Sequence, residues 1–180
     1  MRPKVVLGIL LVVGCLLMVP LVAMRYSDHV VWDLGDFVIA FVLLAGTGLL
    51  FELAAGRVHS RAYQVAIGIA LAAALLLVWV NLAVGMIGNE ENPANLMYLG
   101  VLGVGFLGSL IARFRPRGMS HALFATGLAH ATVAAVALVG RMNGAPVLDF
   151  VFVLAWIGSA SLFQRAAGMR SRLPAGFAEA

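Results

Sequence analysis

Ionisable side chains are scarce within the long apolar stretches of this 180-residue chain, and the few present are where chemistry could be done. A charged or strongly polar group at membrane depth is costly unless paired or hydrated, so each marks a functional site or a helix contact. His130 lies near the middle of the run His121 to Gly140. At 100° per residue it shares a face with Leu123, Thr126, Gly127, Ala134 and Ala137, mostly small residues, which points the imidazole into a bundle. Such a ring could accept a proton or bind a ligand. The plainer arrangement is a neutral histidine bonded to a carbonyl or hydroxyl of a neighbouring helix. Glu52 stands about one turn inside the end of its own run, within reach of Arg57, Arg61 or Arg113; an ion pair is expected there, a proton-relay carboxylate being the alternative. Asn81 is expected to bond across helices. A transport route would require His130, Glu52, Asn81 and Thr126 to line one hydrated crevice.

Outside the apolar runs, Asp33 and Asp36 on one loop and Glu90 and Glu91 on another could form an acidic outer mouth, joined by Asp149. Clustered oxygens suit a divalent or organic cation, but the spacing of a calcium loop is absent and a solvated rim is the plainer reading. Asn92 or Asn95 could cap the following helix. His121 and His130 are nine residues apart, about 13 Å along a helix, too far to grip one ion, and no second histidine lies at membrane depth for a haem. The sole lysine, Lys4, is outside the apolar runs, which excludes a retinal Schiff base. No cofactor is expected. Nor is there a phosphate-binding glycine loop, a metalloprotease helix or a nucleophile with a usable base, so an enzymatic reading has no constellation to stand on.

The elements that must position these groups follow from composition. Apolar residues make up 63% of the chain, charged residues 11%, and the mean hydropathy is +1.03. One water-soluble core of this size could not hide that excess, and a helix needs about 20 apolar residues to cross a bilayer. Six such runs occur: Val5 to Met24, Phe37 to Ala55, Val65 to Ile87, Leu96 to Ala112, His121 to Gly140 and Val147 to Phe163, followed by a short basic tail over 164–180. The expected fold is an all-α six-helix transmembrane bundle forming one domain, its sequence neighbours antiparallel because every connection is short. Glycine, alanine and serine at four-residue spacing in the third, fourth and fifth segments predict a tight centre there, with the first and sixth segments peripheral. Val12-Val13-Gly14-Cys15 resembles a lipoprotein cleavage motif, but Leu16 to Val22 continue apolar, as an uncleaved span would.

Short loops rich in Lys and Arg stay cytoplasmic. Arg2, Lys4, Arg57, Arg61, Arg113, Arg115, Arg117, Arg165, Arg170 and Arg172 fall on one side, leaving Arg25 and Arg141 on the other. Six of the acids, Asp28, Asp33, Asp36, Glu90, Glu91 and Asp149, fall opposite the cations, so both termini are expected in the cytoplasm. Arg113, Arg115 and Arg117 are expected to contact anionic lipid headgroups. The pI of about 10 reflects these flanking arginines, and no nucleic-acid partner is indicated. Tyr26, Trp32, Trp79 and Tyr98 are placed at the outer headgroup boundary and Tyr63 at the inner one. Trp156, mid-segment, needs a partner for its N–H; helix packing is the plainer account and a ligand pocket the sharper.

The stretch Trp79 to Tyr98, with its Asn89-Glu90-Glu91-Asn92-Pro93-Ala94-Asn95 loop, and the stretch Ile111 to Met119 resemble a family of small, uncharacterised bacterial multi-pass membrane proteins, over about Trp32 to Phe163. The resemblance implies a bacterial inner membrane and carries no activity. Two functions stay open: an accessory or structural subunit of a membrane complex, homo-oligomeric or larger, and a small cation or proton-coupled transporter or channel.

Overall fold

The computed structural model describes residues 3–27, 30–56, 58 and 60–170, with Met169 and Arg170 in backbone only. Arg2, Asp28, Arg57 and Arg172, to which the charge pattern gives sides, lie outside the described residues, as do His29, His59 and the tail beyond Arg170. Every regular element described is helical: α1 (Pro3–Tyr26), α2 (Leu34–Ala55), α3 (Arg61–Ala83), α4 (Leu96–Ile111), α5 (Pro116–Val139) and α6 (Pro146–Arg170), with a 3₁₀ turn at Pro93–Asn95 before α4. With the 3₁₀ turn joined to α4, all six are long and apolar enough to cross a membrane. The protein is a multi-pass membrane protein by that criterion.

The helix starts are written in local chemistry. Asp33 caps α2, its Oδ1 accepting from the Asp36 N–H at 2.9 Å while Asp36 Oδ2 accepts from the Asp33 N–H at 2.9 Å. That reciprocal box satisfies two otherwise orphaned donors. Ser60 caps α3, starting it one turn before the apolar run. Pro116 and Pro146 sit at the first positions of α5 and α6, where a missing N–H costs nothing. Several helices start up to five residues before their apolar runs, and two C-terminal boundaries also differ from the hydropathy reading. The third segment does not reach Ile87: α3 stops at Ala83, because Gly85 (φ +73°) and Gly88 (φ +71°) turn left-handed. The sixth does not end at Phe163: α6 continues to Arg170, since Phe163, Ala166 and Ala167 keep one buried stripe while Gln164 and Arg165 face outward.

The contacts group the chain into two compact units, residues 1–57 and 58–180. In the first, α1 packs on α2 along a thin seam: Gly48 lies so close to Ile9 that a Cβ would stand 2.8 Å from its Cγ2. Val13, Ala40, Ala45 and Ala55 are its buried residues, and long aliphatic side chains cover the remaining surface.

The second unit departs from the expected arrangement. α6 is not peripheral; it packs extensively on both α5 and α3, and α4 packs on α5. α3 and α4, though consecutive, make little direct contact. Small residues set these approaches: Gly108 against Ala122 and Gly105 against Thr126 join α4 to α5, and Gly127 against Trp156 joins α5 to α6. Ser159 Oγ donates to Ala66 O of α3 at 2.7 Å, and Tyr63 and Phe163 meet edge to face with centroids 5.0 Å apart. α6 buries Phe152, Trp156, Ser159, Ala160 and Phe163, and two helices close on it.

At one end of this unit lie the start of α3, the α4–α5 turn and the last turns of α6. There the buried Tyr63 hydroxyl donates to Phe114 O at 2.9 Å across a turn whose Arg113 (φ 49°) and Phe114 (φ 56°) are left-handed. At the other end, the α3–α4 loop pairs with the α5–α6 turn. The Gly88 N–H donates to Asn143 O and the Ala145 N–H to Met86 O, both at 3.1 Å.

Candidate functional site

One cluster of polar groups is buried between helices of the second unit, and α5 supplies its centre. The buried residues of α5 include Leu123, Thr126, Gly127, His130 and Ala137, the face that helical periodicity assigns inward. His130 is 0% exposed and both ring nitrogens are engaged. Nε2 lies 3.1 Å from Asp149 Oδ1, and Nδ1 accepts from the Trp156 indole N–H at 3.3 Å. The partners are thus a carboxylate and an indole, not the carbonyl or hydroxyl expected. Tyr98 of α4 completes the cluster, its hydroxyl donating to the same Asp149 Oδ1 at 2.8 Å. The imidazole lies between two aromatic rings, stacked on Phe152 (centroids 5.6 Å, 28°) and tilted against Tyr98 (5.3 Å, 58°).

Each helix delivers its group for a local reason. Asp149, Phe152 and Trp156 fall at i, i+3 and i+7 on α6, one stripe of one face. His130 fits between Asp149 and Trp156, whose Cα atoms are about 10 Å apart along the axis. Gly127, one turn before His130, lets α6 come close: a Cβ there would stand 3.3 Å from Trp156 Cβ. Asp149 is in the first turn of α6, where the helix dipole favours a negative charge.

The donor inventory fixes the proton positions. An indole N–H can only donate, so His130 Nδ1 carries a lone pair. The ring proton is then on Nε2 and points at the carboxylate. Asp149 Oδ1 accepts from both the imidazole and the phenol, a neutral histidine and a doubly solvated carboxylate in one closed set. A general base or metal ligand needs one ring nitrogen turned toward its substrate or ion. Here neither is free.

The remaining sequence candidates fall in both units. Asp149 does not belong to an outer mouth: it is 3% exposed and bonded to Tyr98 and His130. Tyr98, placed by its residue type at the headgroup boundary, is 1% exposed for the same reason. Asp33 and Asp36 belong to the first unit and cap α2, whereas Glu90 and Glu91 are exposed on the α3–α4 loop of the second. Among the described residues, no three His, Cys, Asp or Glu side chains converge as a metal site would require. Asn81 does not reach across to another helix; its Nδ2 donates to Leu77 O of its own helix at 2.7 Å, and its buried Oδ1 has no hydrogen-bond partner. Thr126, fully buried, likewise bonds back to Ala122 O at 2.9 Å and packs against Gly105. Glu52, half-buried in the first unit, lies with its carboxyl beside Gly56 at the end of α2. Arg113 and Arg115 are exposed on the turn leading into α5 and Arg117 in its first turn.

Asn95 performs a task that capping logic misses. It is 8% exposed and makes no cap; its Oδ1 accepts from the Met86 and Ile87 N–H groups at 3.0 and 2.8 Å, and its Nδ2 donates to Asn89 O at 2.7 Å. One side chain thereby holds the whole loop that buries Met86 and Ile87. Asn92 does cap, accepting from the Ala94 N–H at 3.0 Å. The signal available for the buried cluster was the Asp149, Phe152, Trp156 stripe on α6, opposite a histidine on the small-residue face of α5. No family model, no curated protein and no solved structure matches the chain.

Proposed function

We propose that the chain is a non-enzymatic accessory or structural subunit of a membrane complex, seated in a bacterial inner membrane with both termini in the cytoplasm. The observation that carries this reading is the closure of the His130 cluster: both imidazole nitrogens are taken by side chains of the same bundle, and no ring atom is left for a substrate. The cluster is a clasp that fixes α4, α5 and α6. Support for a partner comes from the first unit, whose two helices bury little of their own surface and offer aliphatic faces to lipid or to other helices. The arginines Arg113, Arg115 and Arg117 suit contact with anionic headgroups.

A small cation or proton-coupled transporter is the second reading, favoured by an acid and a base paired inside the bundle. Flux in proteoliposomes separates the two. The first reading expects proton and cation flux equal to that of protein-free vesicles, and migration in mild detergent as a complex larger than one chain. Flux above the vesicle background that disappears in His130→Gln overturns it in favour of transport.

A further inference from the structure

We propose that His130 is a proton-binding site whose occupancy switches the clasp between two bonded states. The proposal goes beyond the accessory-subunit reading and does not depend on it. It rests on the geometry of one ring: Nδ1 faces an indole N–H at 3.3 Å and Nε2 faces a carboxylate oxygen at 3.1 Å. A donor-only group on one side and an acceptor on the other make the two nitrogens unequal partners for an added proton.

In the resting state Nε2–H donates to Asp149 and Nδ1 accepts from Trp156. On the ring, an added proton can bind only the Nδ1 lone pair, because Nε2 already holds one. The product is an imidazolium with two N–H donors. Its Nε2–H to Asp149 contact becomes a charge-paired hydrogen bond, the stronger class. Its Nδ1–H now faces the indole N–H, donor against donor, and that bond is lost. One proton thus tightens His130 toward the first turn of α6 and releases Trp156, two turns further along the same helix. The proton stays on the ring; the indole keeps its own.

The groups that face this ring are few. α4 contributes the Tyr98 phenol and α6 the Asp149 carboxylate, with Phe152 and Trp156 uncharged. No cation stands among the residues bonded to or stacked on the ring, so the imidazolium meets one carboxylate and no opposing charge. Of the two bonded side chains, that of Asp149 is the less fully enclosed, at 5% exposure against none for His130. Release of Trp156 frees the α5–α6 contact at Gly127, where Trp156 Cβ packs.

Nitrogen-15 spectra of the full-length protein in lipid bilayers test this with the site intact, after His29, His59 and His121 are replaced by Gln so that His130 is the sole imidazole. At neutral pH, Nε2 is expected protonated and Nδ1 bare. On acidification Nδ1 is expected to gain a proton, and in the same step the Trp156 indole proton loses its hydrogen-bonded shift. Trp156→Phe, which has no N–H to oppose the new donor, moves that step to higher pH; Asp149→Asn, which removes the stabilising charge, moves it to lower pH. Opposite displacements by the two variants are not expected of a cluster that only supports packing. The reverse tautomer, an imidazolium already present at neutral pH, a ring that stays neutral until the bundle unfolds, or an indole resonance that ignores the His130 step overturns the proposal.

Discussion

At the scale of single residues, Asp149 is the keystone because one oxygen serves two donors from two other helices. Removing it strands the His130 Nε2–H and the Tyr98 hydroxyl in a dry interface, whereas removing one donor leaves the carboxylate the other. Leaving a buried donor unsatisfied costs about 1–3 kcal/mol for each donor, and an interhelical hydrogen bond in a membrane protein averages about 0.6 kcal/mol. Asp149→Ala is therefore expected to lower the thermal midpoint in detergent far more than Tyr98→Phe, with Asp149→Asn between them because its amide retains an acceptor oxygen. Equal losses for Asp149→Ala and Tyr98→Phe would contradict this order. His130 itself was legible from the sequence, since 3.6-residue periodicity fixes the face a side chain takes. Its partner was not. Asp149 lies 19 residues away, at the start of the sixth segment, where the charge pattern reads a carboxylate as part of an outer acidic rim.

At the scale of elements, close helix approach depends on which glycines face a neighbour, not on how many there are. Gly108 of α4 faces α5, and a Cβ there would stand 2.8 Å from Ala122 Cβ and 3.3 Å from its Cα. Neither atom can swing away. Gly100 of the same helix has nothing within 4 Å of the corresponding position. Gly108→Ala is expected to destabilise by about 1–3 kcal/mol through overpacking. Gly100→Ala is expected to leave stability unchanged or raise it by up to about 1 kcal/mol from helix propensity. Thermal unfolding of the two variants side by side checks the pair, and a loss at Gly100 matching that at Gly108 would show that backbone approach is not the cause. The α3–α4 connection shows the same dependence on context. Its Asn-rich composition announces a loop, but only the folded chain shows Asn95 turning back to satisfy Met86 and Ile87 while the loop pairs with the α5–α6 turn.

At the scale of the molecule, the second unit keeps Arg61, Arg113, Arg115, Arg117 and Arg165 at the end opposite Arg141, Glu90 and Glu91, each of them exposed. Cation-rich ends stay in the cytoplasm. Reporter fusions to the C-terminus are expected to be fluorescent with a cytoplasm-dependent protein and inactive with a periplasm-dependent phosphatase; phosphatase activity there would reverse the proposed orientation. Six helices of spanning length, their approximate positions and the inward face of α5 follow from the sequence itself, because hydropathy, caps and helical periodicity are local properties carried by consecutive residues. The centrality of α6, the separation of α3 from α4, and the meeting of Tyr98, Asp149 and Trp156 around His130 were settled only by the tertiary structure. Among apolar helices of nearly uniform composition, which faces touch depends on the joint fit of small residues and scarce polar atoms across several helices, and no single stretch of chain contains that information.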